Sequence, residues 1–242
     1  MTKQQAPDRG QAATQTIAVA ATAMQTILDR AEGVPGMAVL SGRPGLGKTT
    51  AAAYLTHPVG TDAIYVSCRS FETTKSLSLQ LLKELGVAAK THWPISTAYD
   101  HICEALIQCG RPLVVDEVDR IAEKNTVEFL RDLHDNAQTP LFLIGEEDLK
   151  RKLLNHHERF HDRVLVWAKA MPCDGGDLDK LIKHYVPELA IAGDAKKWLL
   201  QSTSGTARKL VSSLAALREH ARAAGAESLA LVDVQSALKE AR

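Results

Sequence analysis

The sequence predicts an α/β fold: a parallel sheet covered on both faces by helices, followed by a small all-helical domain. Two observations carry this prediction. Through residue 173, short continuous apolar runs alternate with stretches of helical spacing, and a strand that is apolar at every position must be buried on both of its faces. Beyond Asp174-Gly175-Gly176, only helical periodicity remains.

The elements follow in order. Residues 1–15 are polar, rich in Gln, Thr and Ala, and are expected to form a flexible tail. From Thr16 to Ala31, apolar side chains recur at helical spacing and stop at Gly33 and Pro35. Met37-Ala38-Val39-Leu40 is a buried strand, and a helix is expected from Lys48 to Thr56. Ala63 to Ser67 is a second strand, followed by helices near 74–85 and 96–109. Pro112 to Val115 is a third strand, a helix spans about 125–137, and Leu141 to Ile144 is a fourth strand. A charged helix (147–155) and a strand (164–167) complete the core, assigned to residues 16–173. The helical domain, 174–242, shows helical spacing over 178–186, 195–201, 206–223 and 232–241.

Composition sets limits. The chain has 242 residues, 45% of them hydrophobic and 24% charged, which suits a globular domain with a smaller partner. Its 29 basic residues balance 29 acidic ones, which counts against non-specific coating of nucleic acid but leaves room for a local basic stripe. No apolar run approaches the ~20 residues needed to cross a bilayer. The polar start also lacks the basic-then-apolar layout of a secretory leader, so a cytoplasmic location without a membrane partner is expected. Cys68, Cys103, Cys109 and Cys173 lack metal-site spacing and read as buried reduced thiols. His156, His157 and His161 lack a complementary Cys or carboxylate and read as an exposed cluster. Trp93, Trp167 and Trp198 read as core or interface anchors.

The chemistry sits in two places. Residues 42–49, Gly42-Arg43-Pro44-Gly45-Leu46-Gly47-Lys48-Thr49, join a strand to a helix that continues with Thr50. Glycines there let backbone N–H groups turn inward around phosphate oxygens, and the helix N-terminus adds partial positive charge. Lys48 is placed to reach the β- and γ-phosphates of ATP, and Thr49 to offer a hydroxyl to Mg²⁺. The second place is the strand Leu113-Val114-Val115, ending in Asp116-Glu117. Asp116 would hold Mg²⁺ through water, and Glu117 would polarise the attacking water. Together the two motifs point to ATP hydrolysis.

The phosphate loop, the run Val115-Asp116-Glu117-Val118-Asp119-Arg120-Ile121 and the helical C-terminal domain resemble an AAA+ ATPase, with 174–242 as its lid. The resemblance implies a polar sensor at the end of the fourth strand, a position that is taken by Glu146 or displaced. It implies an arginine finger acting on a neighbouring subunit's γ-phosphate; Glu158-Arg159-Phe160 resembles that box, with Arg163 as the alternative. It also implies a lid arginine, for which Gly205-Thr206-Ala207-Arg208 supplies Arg208. Over residues 35–235, notably Pro140 to Leu149 and Arg159 to Val164, the chain is similar to the DNA-transposition ATPases of the Mu B and TnsC/TniB type. That likeness implies a homo-oligomer, a helical filament or ring, assembled with ATP on double-stranded DNA with little sequence preference. Such an assembly would capture target DNA, deliver it to a transposase and dismantle on hydrolysis. Arg69, Lys75, Lys90 and Lys124 are the candidate phosphate contacts. A helicase-loader or other replication switch, a secretion-associated ATPase and a small-molecule P-loop kinase are the alternatives. The kinase is disfavoured by the Asp-Glu pair and the appended helical domain.

Overall fold

The computed structural model describes residues 12–90 and 92–240; the expected tail, apart from residues 12–15, lies outside the described residues. Five strands form one parallel sheet: β1 (Met37–Ser41), β2 (Ile64–Ser67), β3 (Leu113–Asp116), β4 (Leu141–Gly145) and β5 (Val164–Lys169). Their spatial order is β2-β3-β4-β1-β5. β1, β3 and β4 are buried along their whole length, the consequence of apolar runs that have no polar face to offer water. Side chains alternate between the two faces. Val39, Val66, Val115 and Leu143 join a core with Leu77, Leu81, Ile102 and Leu130, from helices α3 (Thr74–Glu84), α4 (Ile95–Cys109) and α5 (Thr126–Ala137). The opposite parity, including Leu40, Val114 and Phe142, is equally inaccessible. α2 (Lys48–Thr56) packs beside β2, β3 and β4.

The chain divides into two compact units. One consists of Val19–Arg43 and Lys48–Lys169; the other holds the described residues up to Ala18, Pro44–Gly47 and Ala170 onward. Helix α1 (Gln15–Leu28) belongs to both in sequence. Residues 12–15 are ordered within the second unit. Thr14 is buried, and the Gln15 N–H donates to both carboxylate oxygens of Asp177 at 3.0 and 3.1 Å. A buried carboxylate at a helix N-terminus satisfies an orphan donor and complements the helix dipole.

The second unit is built from α8 (Gly175–Tyr185), α9 (Gly193–Thr203), α10 (Ala207–Ala224) and α11 (Leu231–Glu240), around Leu178, Leu199, Leu210, Leu214 and Val234. Asp174 caps α8 by accepting the Asp177 N–H at 2.8 Å. Gly205, at φ +64°, leaves room for the Cys173 carbonyl, which a Cβ would meet at 2.7 Å. One feature departs from the all-helical expectation. β6 (Ala190–Ile191) and β7 (Ser228–Leu229) form a two-residue parallel pair, too short to leave a period in the sequence. Two other short elements, α6 (Leu149–His156) and α7 (Glu158–His161), precede β5.

Candidate nucleotide site

In a parallel sheet all strands point the same way, so their C-terminal ends share one edge. Register fixes the neighbours there: Ser41 lies opposite Gly145, and Ser67 opposite Asp116. The first pairing brings the start of the 42–49 loop beside Glu146. Lys48 opens α2 and is buried at 9% exposure. Its ammonium donates to the carbonyls of Gly42 and Arg43, the latter at 3.1 Å, and lies 3.5 Å from Glu146 Oε1. Gly45 and Gly47 have φ of +81° and +87°, backbone that L side chains rarely adopt. Leu46 is buried, whereas Arg43, Pro44, Thr49 and Thr50 are exposed, the last two in the first turn of α2. Within the helical unit the Gly45 carbonyl accepts the Arg208 N–H at 3.0 Å; the Arg208 side chain is exposed.

The end of β3 supplies the acidic half. Asp116 is 3% exposed; its Oδ1 accepts the Glu117 N–H at 2.8 Å and its Oδ2 accepts the Tyr65 hydroxyl at 3.3 Å. Burial, then the Asp116 charge, pushes the Tyr65 phenol up to about 12, so it stays a donor. Glu117 adopts left-handed backbone (φ 58°, ψ 35°) as the chain leaves β3 for the 3₁₀ turn Val118–Arg120. Its carboxylate pairs with Arg120 at 3.3 Å. Burial raises the Glu117 carboxyl above the usual range; the charges of Asp116, Asp119 and Glu146 add to this and Arg120 opposes it. Asp119 Oδ1 accepts the Glu146 N–H at 3.0 Å, tying the turn after β3 to the end of β4. Tyr65 escaped the sequence reading because it belongs to no local motif; Asp119 lies within the quoted run 115–121, but its bond to the Glu146 N–H joins residues 27 positions apart and leaves no sequence signal.

A group of this chemistry fits a magnesium nucleotide. Two positive-φ glycines and a helix N-terminus suit phosphate oxygens, a buried ammonium suits their charge, and a buried carboxylate and an exposed threonine hydroxyl suit a hard cation.

The remaining candidates are scattered. Arg159 lies on the single-turn helix α7 and is exposed. Arg163 is engaged by Asp135, Nε to Oδ1 at 2.8 Å. In the loop between β2 and α3, Arg69 is exposed, and Phe71, which the sequence reading did not single out, is 73% exposed. That loop is fastened at three points: Arg120 Nη1 donates to the Cys68 carbonyl at 3.0 Å, Lys124 Nζ to the Ser70 carbonyl at 3.3 Å, and the Arg69 N–H to buried Glu72 at 2.9 Å. Lys75 donates to the Trp93 carbonyl at 2.7 Å, and Lys90 is exposed. Trp93 stacks on His101 and Trp167 lies under Lys150; both are only partly buried.

Two expectations require correction. His157 is not part of an exposed cluster: it is buried, with Nδ1 2.7 Å from Glu128, because the turn between α6 and α7 faces inward; the His156 and His161 side chains lie outside the described residues. Nor are all the thiols buried. Cys68 and Cys173 are, Cys103 is half-buried and Cys109 is exposed at the end of α4.

A family profile described as AAA domain matches residues 31–153, just over half of the chain. The chain belongs to the AAA domain family. This AAA domain binds and hydrolyses ATP, as the paired motifs at the ends of β1 and β3 imply. Among curated proteins no sequence matches. Among solved structures, the Aeropyrum pernix ORC2 protein in its ADPNP-ADP complexes superposes at a TM-score of 0.70 with 16% identity, over 93% of this chain and 66% of that one. The Aeropyrum pernix ORC1 protein in complex with DNA gives 0.63 and 19%, over 93% and 64%. The RuvB Holliday junction branch migration motor of Thermotoga maritima gives 0.63 and 17%, over 93% and 67%. The chain thus spans just under two thirds of the two ORC proteins. These likenesses describe the fold of the AAA domain, and they overturn the placement among DNA-transposition ATPases. The structures it resembles are origin-recognition and branch-migration proteins, so target capture and a transposase partner fall away. The error lay in weighting a diffuse likeness around residues 140–164 above the arrangement of the whole chain. Among the described residues no helix is long and apolar enough to cross a membrane.

Proposed function

We propose that the chain is an ATP-driven switch that acts on duplex DNA in replication initiation or DNA remodelling. The observation that supports this best is the placement of the β2–α3 loop. It leaves the same edge of the sheet as the phosphate loop and Asp116-Glu117, and it presents Phe71 beside exposed Arg69, with Lys124 bonded to Ser70. Cations that meet phosphates give affinity without a sequence code, and an exposed aromatic offers a face for a base or a groove wall. The names of the structurally similar proteins point the same way: one is described in complex with DNA and another as a branch migration motor.

In this reading the backbone from Gly42 to Thr50 cradles the nucleotide phosphates and Lys48 neutralises them. Thr49 and Asp116 would hold Mg²⁺, which would supply positive charge to the phosphate oxygens. Glu117 accepts a proton from the attacking water and aims it. Arg159 of a second copy of the chain completes the site, so that hydrolysis depends on assembly. Arg208 is the candidate lid arginine, its N–H meeting Gly45 within the helical unit, and Glu146 occupies the sensor position after β4. Lys90 and Lys75 flank the DNA contact, Lys75 from a ledge fixed by Trp93.

DNA affinity measured against salt tests the reading. Phe71→Ala should weaken duplex binding with little change in salt slope. Lys124→Glu should reduce both affinity and slope. Wild-type protein that binds no duplex with an ATP analogue present, at any salt, would refute the proposal.

A further inference from the structure

The contact between Lys48 and Glu146 carries a consequence for nucleotide affinity. An ammonium has three N–H donors and no acceptor. Here its neighbours are three: the Gly42 carbonyl, the Arg43 carbonyl and the Glu146 carboxylate at 3.5 Å. Two of them are backbone atoms of the phosphate loop itself and can leave only if the loop is remodelled. The third sits on a side chain that is 39% exposed and can swing away.

We propose that Glu146 is an internal competitor for the phosphate-binding lysine: its carboxylate occupies Lys48, and the β- and γ-phosphates must displace it to bind. The inference rests on the reading of Lys48 as the phosphate ligand. The backbone holds the competitor in place. Its own N–H is accepted by Asp119 Oδ1, and Gly145, which precedes it, is pressed so closely against Asp119 that a Cβ would lie 2.8 Å from that oxygen. The main chain at the end of β4 is therefore fixed, while the Glu146 side chain alone exchanges between Lys48 and solvent. A neutral residue of similar size at this position would accept a bond from Lys48 without opposing phosphate charge. A glutamate adds a modest penalty that any phosphate ligand at the lysine must overcome, and the penalty applies to the di- and triphosphate alike.

The test is equilibrium titration of the whole chain with ADP and with a non-hydrolysable ATP analogue, each with Mg²⁺, for wild type, Glu146→Gln and Glu146→Asp. Thermal melts confirm that each variant is folded. Glu146→Gln should tighten both ligands by about twofold to fivefold, the scale of a half-exposed ion pair. Glu146→Asp retains the charge but is shorter by one methylene, roughly 1.5 Å, so it loses the reach to Lys48 and should tighten binding to a similar degree. An unchanged or weakened Glu146→Gln would overturn the proposal. So would a Glu146→Asp variant that matches wild type, because the effect would then be general repulsion of phosphate and not occupation of Lys48. Wild-type protein that binds neither ligand would overturn the reading of Lys48 itself, and this inference with it. Wild type that binds, with both variants unchanged, removes the competitor and leaves the phosphate site standing.

Discussion

If hydrolysis depends on assembly, as proposed, the choice between Arg159 and Arg163 as the residue that reaches a second copy is open to a quantitative prediction. Arg159 is exposed on α7, whereas Arg163 is already committed to Asp135 at 2.8 Å, with the two side chains 44% and 31% exposed. A pair at that exposure is worth up to ~1 kcal/mol, so freeing Arg163 to reach another subunit would cost about a factor of five. Arg159 pays no such penalty. Removing an arginine finger slows hydrolysis by ~10³–10⁵, or about 4–7 kcal/mol of transition-state stabilisation. Arg159→Ala should therefore lose ATPase activity by about three orders of magnitude while ATP-analogue affinity stays within a factor of two or so. Arg163→Ala should lose only its surface pair, lowering the melting temperature by roughly 2–4 °C. The assay is steady-state phosphate release over a range of protein concentrations, so that the proposed assembly shows as a rate per subunit that rises with concentration. Mixing Arg159→Ala with Glu117→Gln should restore part of the activity, because each supplies what the other lacks. The reasoning fails if Arg163→Ala abolishes hydrolysis, or if Asp135→Ala, which releases Arg163, accelerates it.

Three further outcomes follow from the geometry. Glu117→Gln should retain ATP-analogue binding and lower turnover by ~10²–10⁴. Since the base must be ionised and burial raises its proton affinity, the acid limb of wild-type turnover should lie above the ordinary carboxylate range, with the rate rising as pH increases through it. His134 is buried and neutral: its Nδ1 meets the Thr139 carbonyl at 2.7 Å, its Nε2 accepts the Gly36 N–H at 3.4 Å, and burial lowers its proton affinity. The unfolded chain then binds the proton more readily, so this contribution to stability is complete above pH ~6.5 and declines as pH falls towards the folded value; urea midpoints at pH 7.5 and 5.5 should differ less for His134→Gln than for wild type. Phe142, fully buried at the centre of β4, should cost ~3–5 kcal/mol as Phe142→Ala, a fall of about 10 °C or more by calorimetry.

What the sequence made legible was local. The strands could be read because each contains a short apolar run, and the phosphate loop because its glycines and lysine stand close together. Asp116-Glu117 could be read because it ends such a strand. Features joined only by folding could not: the insertion of β1 between β4 and β5, the Tyr65 hydroxyl on Asp116, and the Asp119 link to Glu146. The same limit explains His157, polar in sequence yet buried against Glu128, and the two-residue β6–β7 pair. Glu146 was noticed as an unusual residue after the fourth strand, but its partner Lys48 lies 98 positions earlier and no spacing rule connects them. The transposition assignment failed for a different reason: it extended a resemblance beyond the phosphate loop and the Asp116-Glu117 strand, whose residues are tied to a chemistry, to segments that carry none.

Glu117 sits on left-handed backbone, a conformation that costs a non-glycine residue about 1 kcal/mol. The bond from its N–H to Asp116 Oδ1 and the reach of Arg120 hold it there. The residue expected to meet the metal is thus also a strut for the residue expected to activate water. A variant such as Asp116→Ala would let the following peptide relax towards ordinary helical or extended angles and turn the glutamate away from its target. Its loss of activity could not be entered against Mg²⁺ alone. Separating the two duties calls for Asp116→Asn, which keeps an acceptor for the Glu117 N–H while removing the charge, so that the pair behaves as one mechanical part with two chemical ends.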